Sequence, residues 1–154
     1  MGEMTDMYVR IGRPGAGLLA MFLRAASLCS APAAAETIAL GAEASGVTQV
    51  PPNPSKGKGT VTAAYDTATK SLSWSGTYAG TSGPPIAAHF HGPAETTKNG
   101  PVVVNFEKFD SPFQGSATLT DDQAADMLAG RWYVNIHTPS YPGGELRGHL
   151  VRVK

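Results

Sequence analysis

Short runs in which apolar and polar residues alternate are the feature that most limits the folds open to this chain. The clearest run covers residues 131–137, where Trp132, Val134 and Ile136 alternate with Arg131, Tyr133, Asn135 and His137. A period of two places alternate side chains on opposite faces of a β-strand. The runs are separated by turns rich in glycine and proline, of which the 154 residues include 18 and 12. We therefore predict an all-β fold, an antiparallel sandwich or barrel with one short helix.

The helix is predicted from a capping box in which Thr120 precedes Gln123 by three residues. Ala124 and Met127 begin its apolar face, and Gly130 ends it. The predicted strands cover residues 37–40, 57–66, 71–78, 86–91, 102–106, 114–119, 131–137 and 145–153, with a tight turn over 139–144. Their apolar faces predict a core that includes Trp74, Phe90, Trp132, Val134 and Ile136.

The first 35 residues have a different composition from the rest. Arg10 and Arg13 precede an apolar run over 18–23, and small residues follow up to Ala35. A basic start, an apolar centre and a small-residue exit are typical of a secretory signal peptide. The apolar run is far shorter than the ~20 residues that span a bilayer, so we predict no membrane-spanning segment.

These features predict a signal peptide over 1–35 and a mature domain over 36–154. The mature domain is then predicted to be periplasmic or secreted. Cleavage at Ala31-Pro32-Ala33 is a second choice, and an ordinary disordered N-terminus is the alternative to a signal peptide. The only cysteine, Cys29, would leave with the leader. The mature domain would then be stabilised by its core, without disulfides.

The balance of acidic and basic residues indicates whether the chain is suited to bind nucleic acid. Twelve basic and 12 acidic residues give a formal net charge of zero. Proteins that bind nucleic acid have a basic surface that neutralises phosphates. We therefore predict no nucleic-acid partner.

Three of the four histidines are predicted to lie on strand faces opposite the apolar residues. In the run 86–91, Ala88 and Phe90 share one face, so His89 and His91 share the other, ~7 Å apart at Cα. His137 likewise lies opposite Val134 and Ile136 by parity. A His-x-His pair with a distant third histidine suits copper or zinc, since both accept neutral imidazole. We predict a metal site of His89, His91 and His137, the alternative being surface histidines without a ligand.

Two further residues share that face. If the last two strands form a hairpin in which Glu145 pairs near His137, then His149 pairs near Tyr133, ~13 Å along the strand from His137 and outside the site. Glu145 would lie closer, as a fourth ligand or as an acceptor for an imidazole N–H. The alternative for Glu145 is a solvated carboxylate at a sheet edge.

Five segments resemble the CHRD domain, the module named after chordin. They are 88–94 (AHFHGPA), 99–104 (NGPVVV), 119–123 (LTDDQ), 128–138 (LAGRWYVNIHT) and 142–148 (PGGELRG), and looser similarity extends over 37–153. The resemblance implies a β-sandwich. It also implies an exported protein, since the module occurs in extracellular animal proteins that bind growth factors and in exported bacterial proteins.

A second, distant resemblance is to the copper-zinc superoxide dismutases, which also carry a His-x-His pair and a late copper-ligating histidine. This resemblance implies a Greek-key β-sandwich, copper at His89, His91 and His137, and an active-site arginine at Arg147. The chain departs from that family between 92 and 136, where no histidine stands at the positions of the zinc ligands. The disulfide cysteines are missing as well.

Two classes of function follow. The first is an exported protein with a solvent-accessible mononuclear copper site built from histidines. The second is an extracytoplasmic protein-interaction module without metal, whose partner is another protein. A copper-dependent, superoxide dismutase-like enzyme is an extension of the first class, and no catalytic residue is predicted.

Overall fold

The computed structural model describes residues 35–154, which form nine β-strands and one α-helix. The predicted signal peptide therefore lies, except for Ala35, outside the described residues. The elements in chain order are β1 Thr37–Ser45, β2 Lys58–Asp66, β3 Ser71–Ala79, β4 Ala87–His91, β5 Val102–Asn105, β6 Phe113–Thr118, α1 Asp121–Leu128, β7 Tyr133–Thr138, β8 Tyr141–His149 and β9 Val151–Arg152.

All strands join one antiparallel sheet in the order β5-β4-β7-β8-β1-β2-β3-β6, with β9 paired to β1. This confirms the predicted all-β, antiparallel class with a single short helix. The strands β5 and β6 are the two ends of the order, and β4 lies between β5 and β7. The predicted histidine strands, β4 and β7, are therefore direct neighbours.

Aromatic side chains from distant parts of the sheet meet in the core. The Trp74 ring on β3 lies 5.2 Å from that of Phe90 on β4 and 4.9 Å from that of Phe106, between ring centroids. Because β3 and β4 are far apart in the strand order, these contacts require the sheet to fold back on itself. The predicted core is confirmed, since Trp74 is 5 % exposed and Phe90, Trp132, Val134 and Ile136 are at most 1 % exposed.

The helix begins and ends as predicted. The Thr120 hydroxyl accepts from the Gln123 backbone N–H at 3.2 Å, and the Gln123 side chain accepts from the Thr120 N–H at 2.9 Å. Ala124 and Met127 are buried against the sheet core. Gly130 has a φ of +74°, a left-handed conformation that favours glycine after a helix. Among residues 35–154, no helix is long and apolar enough to span a bilayer.

The predicted turn over 139–144 is wrong in its position. Thr138 pairs directly with Tyr141, so residues 139 and 140 alone form the turn and β8 already begins at Tyr141. The pairing of β7 with β8 shifts in register between Ile136 and Thr138. This β-bulge leaves the Pro-Gly-Gly of residues 142–144 within β8. Gly144 adopts a φ of +125° there, which other residues rarely adopt. The predicted strand 145–153 is correspondingly two strands, β8 and β9, separated at Leu150.

Candidate metal site

Adjacent antiparallel strands bring the three predicted ligands together. In the β4–β7 ladder, Ala87 pairs with His137 and His89 pairs with Asn135, so His137 and His89 are diagonal neighbours on one face. His91 lies two residues further along β4 on the same face. The opposite face carries Phe90 and other fully buried apolar residues, as the alternation predicts.

The imidazole rings lie close enough for their nitrogens to share one ion. Nδ1 of His89 is 3.3 Å from Nε2 of His137, and one nitrogen from each of His89, His91 and His137 lies within 4.8 Å of the others. Two nitrogens bound to one ion at ~2.0 Å are separated by roughly 2.8 Å at a right angle and roughly 4 Å when they lie on opposite sides of the ion. The His89–His137 pair already has this spacing, and His91 brings a nitrogen within 4.8 Å of both.

Backbone carbonyls determine which nitrogen of two rings carries the proton. Nδ1 of His91 lies 3.0 Å from the carbonyl oxygen of Gly100, and Nδ1 of His137 lies 2.9 Å from that of Pro142. A carbonyl oxygen only accepts, so both rings donate from Nδ1 and, when neutral, keep a lone pair on Nε2. Nε2 of His91 is buried and has no hydrogen-bond partner within the described part of the chain. This is how protein metal sites orient imidazole ligands.

The cluster lies in a partly buried environment that favours neutral imidazole. His91 is 9 % exposed and His137 is 8 % exposed, whereas His89 is half-buried. Burial lowers the pKa of His89, and repulsion from His137 and His91 lowers it further. Burial also lowers the pKa of His91, against the opposing effect of its hydrogen bond to Gly100. Both shifts favour the neutral form of imidazole, which is the form that can bind a metal.

The face that carries the histidines is covered by loops, which the alternation did not predict. Gln49, in the loop between β1 and β2, donates to the Asn135 side chain at 2.7 Å. From β8, Arg147 donates at 2.7 Å to the carbonyl of Lys98, in the loop between β4 and β5. The interpretation of this face as an outer, solvent-accessible surface is therefore wrong for His91 and His137. Of the three rings, His89 is the most exposed.

His149 lies outside the cluster, as predicted. It pairs with Tyr133 in the β7–β8 ladder, the register that the hairpin predicts. Its Nδ1 is 3.1 Å from the carbonyl oxygen of Gly130, and its Nε2 accepts from Arg147 at 3.1 Å. Both ring nitrogens are thus engaged away from the three histidines.

Both interpretations of Glu145 are wrong. Its side chain is fully buried, so it is not a solvated edge carboxylate. It accepts hydrogen bonds from the hydroxyls of Ser55, Ser82 and Thr138 and from the Ser82 backbone N–H. Burial would raise the pKa of Glu145, but these hydrogen bonds outweigh it and the net shift is downward. The carboxylate stabilises the surrounding loops and does not accept from an imidazole.

Arg147 does not occupy the position of an active-site arginine. It is fully buried, and its guanidinium lies 3.8 Å from the centre of the Tyr133 ring. Its two terminal nitrogens donate to the side chain of Asn99 and to the carbonyl of Lys98, whereas its Nε has no hydrogen-bond partner within residues 35–154. The guanidinium therefore anchors the loop over the site and does not face an incoming anion.

Three residues that hold the histidine rings were not predicted from the sequence: Gly100, Pro142 and Tyr133. Two of them act through backbone carbonyls, which any residue type carries, so side-chain chemistry gave no signal. Tyr133 was assigned to the correct face of its strand, but alternation alone does not show which neighbours a side chain contacts.

The fold and the cluster define an antiparallel β-sandwich domain with a histidine set that could hold a transition metal. The family model of the CHRD domain matches residues 40–150, most of the chain, and the protein belongs to the CHRD domain family. No curated protein and no solved structure matches the chain. The resemblance to superoxide dismutases thus rests on the histidine spacing alone.

Proposed function

We propose that this protein is an exported copper-binding protein in which His89, His91 and His137 hold one copper ion. The observation that carries the proposal is the convergence of three ring nitrogens within 4.8 Å of one another. Backbone carbonyls also hold two of the rings at Nδ1, which leaves the lone pair of each neutral ring on Nε2.

The ligand set favours copper over other divalent ions. Imidazole nitrogen suits both copper and zinc, and affinity for nitrogen ligands peaks at copper in the first-row divalent series. Calcium and magnesium prefer oxygen ligands, and the nearby carboxylate of Glu145 is already engaged by hydroxyls. We therefore expect Cu(II) to bind more tightly than Zn(II).

Export is the second part of the proposal. It is supported by the signal-like pattern over 1–35 and by membership of the CHRD domain family. Mass spectrometry of the protein from its native host tests it. We expect a mature chain that begins at or near Glu36 outside the cytoplasm, and residues 10–30 intact in the soluble cytoplasmic fraction would contradict export.

Superoxide dismutation is not part of this proposal. The arginine that the resemblance assigns to the site, Arg147, is buried and engaged by the loop between β4 and β5. The alternative function is an interaction module without metal, which CHRD domain membership alone also supports.

Isothermal titration of the purified protein with Cu(II) separates the two functions. We expect one ion per chain. We expect His89→Ala to weaken binding by more than ~100-fold, because the loss of a metal ligand costs more affinity than the loss of a residue that only hydrogen-bonds to a ligand. His149→Ala is the matched control, because it also leaves three histidines, and it should bind as the wild type does. No stoichiometric binding, or equal losses in both variants, would reject the copper site in favour of the interaction module.

A further inference from the structure

The ring of His91 is fixed by two contacts that depend on one neighbouring residue. His91 stacks on Tyr133 with the ring planes 6° apart and the centroids 4.9 Å apart. Its Nδ1 is held by the Gly100 carbonyl at 3.0 Å. The stack fixes the plane of the ring, and the hydrogen bond fixes its rotation and its tautomer.

Tyr133 also holds the acceptor of that hydrogen bond. The Gly100 backbone N–H donates to the Tyr133 hydroxyl at 3.1 Å, and the hydroxyl lies 3.4 Å from the Gly100 carbonyl oxygen. The same side chain therefore contacts the imidazole with its ring and the backbone behind the imidazole with its hydroxyl. Its removal would release both restraints on His91 together.

Tyr133 is itself rigidly placed. It is 1 % exposed, and in the sheet it pairs with His91 on β4 and with His149 on β8. The Arg147 guanidinium lies 3.8 Å from its ring centre. Because Arg147 comes from β8 and His91 from β4, the Tyr133 ring lies between a fixed cation and the candidate ligand.

We propose that Tyr133 is a positioning residue of the metal site, which keeps His91 in the Nδ1–H tautomer with Nε2 directed towards the ion. This inference rests on the proposed copper site. Tyr133 does not contact the ion but acts through His91 and Gly100. Removing a hydrogen-bond partner of a metal ligand weakens metal binding by ~10–100-fold in well-studied sites.

The test uses Tyr133→Phe, which keeps the ring and the stack and removes only the hydroxyl. Tyr65→Phe is the matched control, because it makes the same change at another buried tyrosine, 4 % exposed, in the core on β2. Circular dichroism first establishes that both variants are folded. Two readouts follow: the His91 tautomer by nitrogen NMR of the metal-free protein, and the Cu(II) affinity with the electron paramagnetic resonance spectrum of the loaded protein.

For Tyr133→Phe we expect a mixed His91 tautomer, a ~10–100-fold weaker Cu(II) affinity and an altered copper spectrum, with all three unchanged in Tyr65→Phe. An affinity equal to that of the wild type overturns the inference, whatever the tautomer. Weaker binding with the wild-type tautomer also overturns it, because Tyr133 would then act by another route. Absence of copper binding in the wild-type protein instead overturns the proposed function and this inference together.

Discussion

His137 lies opposite Ala87 in the β4–β7 ladder, yet its Nε2 is 3.3 Å from Nδ1 of His89. The two histidines are diagonal neighbours, a relationship in which long or aromatic side chains of adjacent strands still reach one another. Their ring centroids are 5.0 Å apart and the rings are inclined by 62°. Diagonal placement thus brings the two nitrogens to hydrogen-bond distance without stacking of the rings.

The pH dependence of copper binding is the first prediction. Protons compete with the ion for neutral imidazole, so affinity falls as pH falls. Burial lowers the pKa of His89 and of His91, so the two rings stay neutral to a lower pH than free imidazole. We expect the Cu(II) affinity to be nearly constant above pH ~6.5 and to fall below it. A titration series across pH checks this, and a decline that begins well above pH 6.5 would contradict it.

Trp132→Ala tests the core beneath the site. The Trp132 side chain is fully buried and packs against Phe90 and closely against Gly92, where an added Cβ would approach the indole to 2.4 Å. We expect a loss of ~3–5 kcal/mol in the free energy of unfolding, measured by urea denaturation. Val47→Ala, at a side chain that is 66 % exposed, should cost under ~0.5 kcal/mol. A similarly small loss for Trp132→Ala would show that the faces of β7 are reversed.

Glu145→Gln tests the buried carboxylate. The substitution places an amide among the hydroxyls of Ser55, Ser82 and Thr138, which donate to the native carboxylate. We expect a loss of ~1–3 kcal/mol in unfolding free energy at pH 7, with the Cu(II) affinity little changed. Glu107→Gln, at an exposed position, is the control and should have a negligible effect.

The effect of Glu145→Gln on stability should also depend on pH. Because the net effect of its surroundings lowers the pKa of Glu145, the carboxylate stabilises the folded state above its unfolded pKa of ~4.3. That contribution is lost as pH falls through the lower, folded value. The stability difference between the wild type and Glu145→Gln should therefore shrink below pH ~4. A difference that stays constant into this acid range would show that the charge is not responsible.

Alternation along single strands predicted much of the fold and the strand faces on which the three histidines lie. A period of two assigns His89, His91 and His137 to faces opposite Phe90 and Ile136, and this needs no knowledge of which strands are neighbours. The adjacency of β4 and β7 was not predictable in this way, because it depends on pairing between segments more than 40 residues apart. The structure supplies that pairing, and with it the convergence of the nitrogens.

The covering of the histidine face was not predictable from alternation. A polar residue opposite an apolar one is assigned to solvent by the pattern, yet Asn135, Glu145 and Arg147 are buried beneath loops that supply their hydrogen bonds. The position of the last hairpin turn was missed for a related reason. Pro142 and the glycines after it signal a turn locally, whereas the pairing of Thr138 with Tyr141 places the turn earlier.

The most direct test of the copper site is a crystal structure of the protein loaded with Cu(II), with diffraction data recorded at the copper absorption edge. We expect one strong anomalous peak per chain, ~2.0 Å from Nδ1 of His89, Nε2 of His91 and Nε2 of His137. The same crystals of His137→Ala should lose the peak. A peak elsewhere on the chain, or none among these three nitrogens in the wild-type protein, would show that the three histidines do not bind copper.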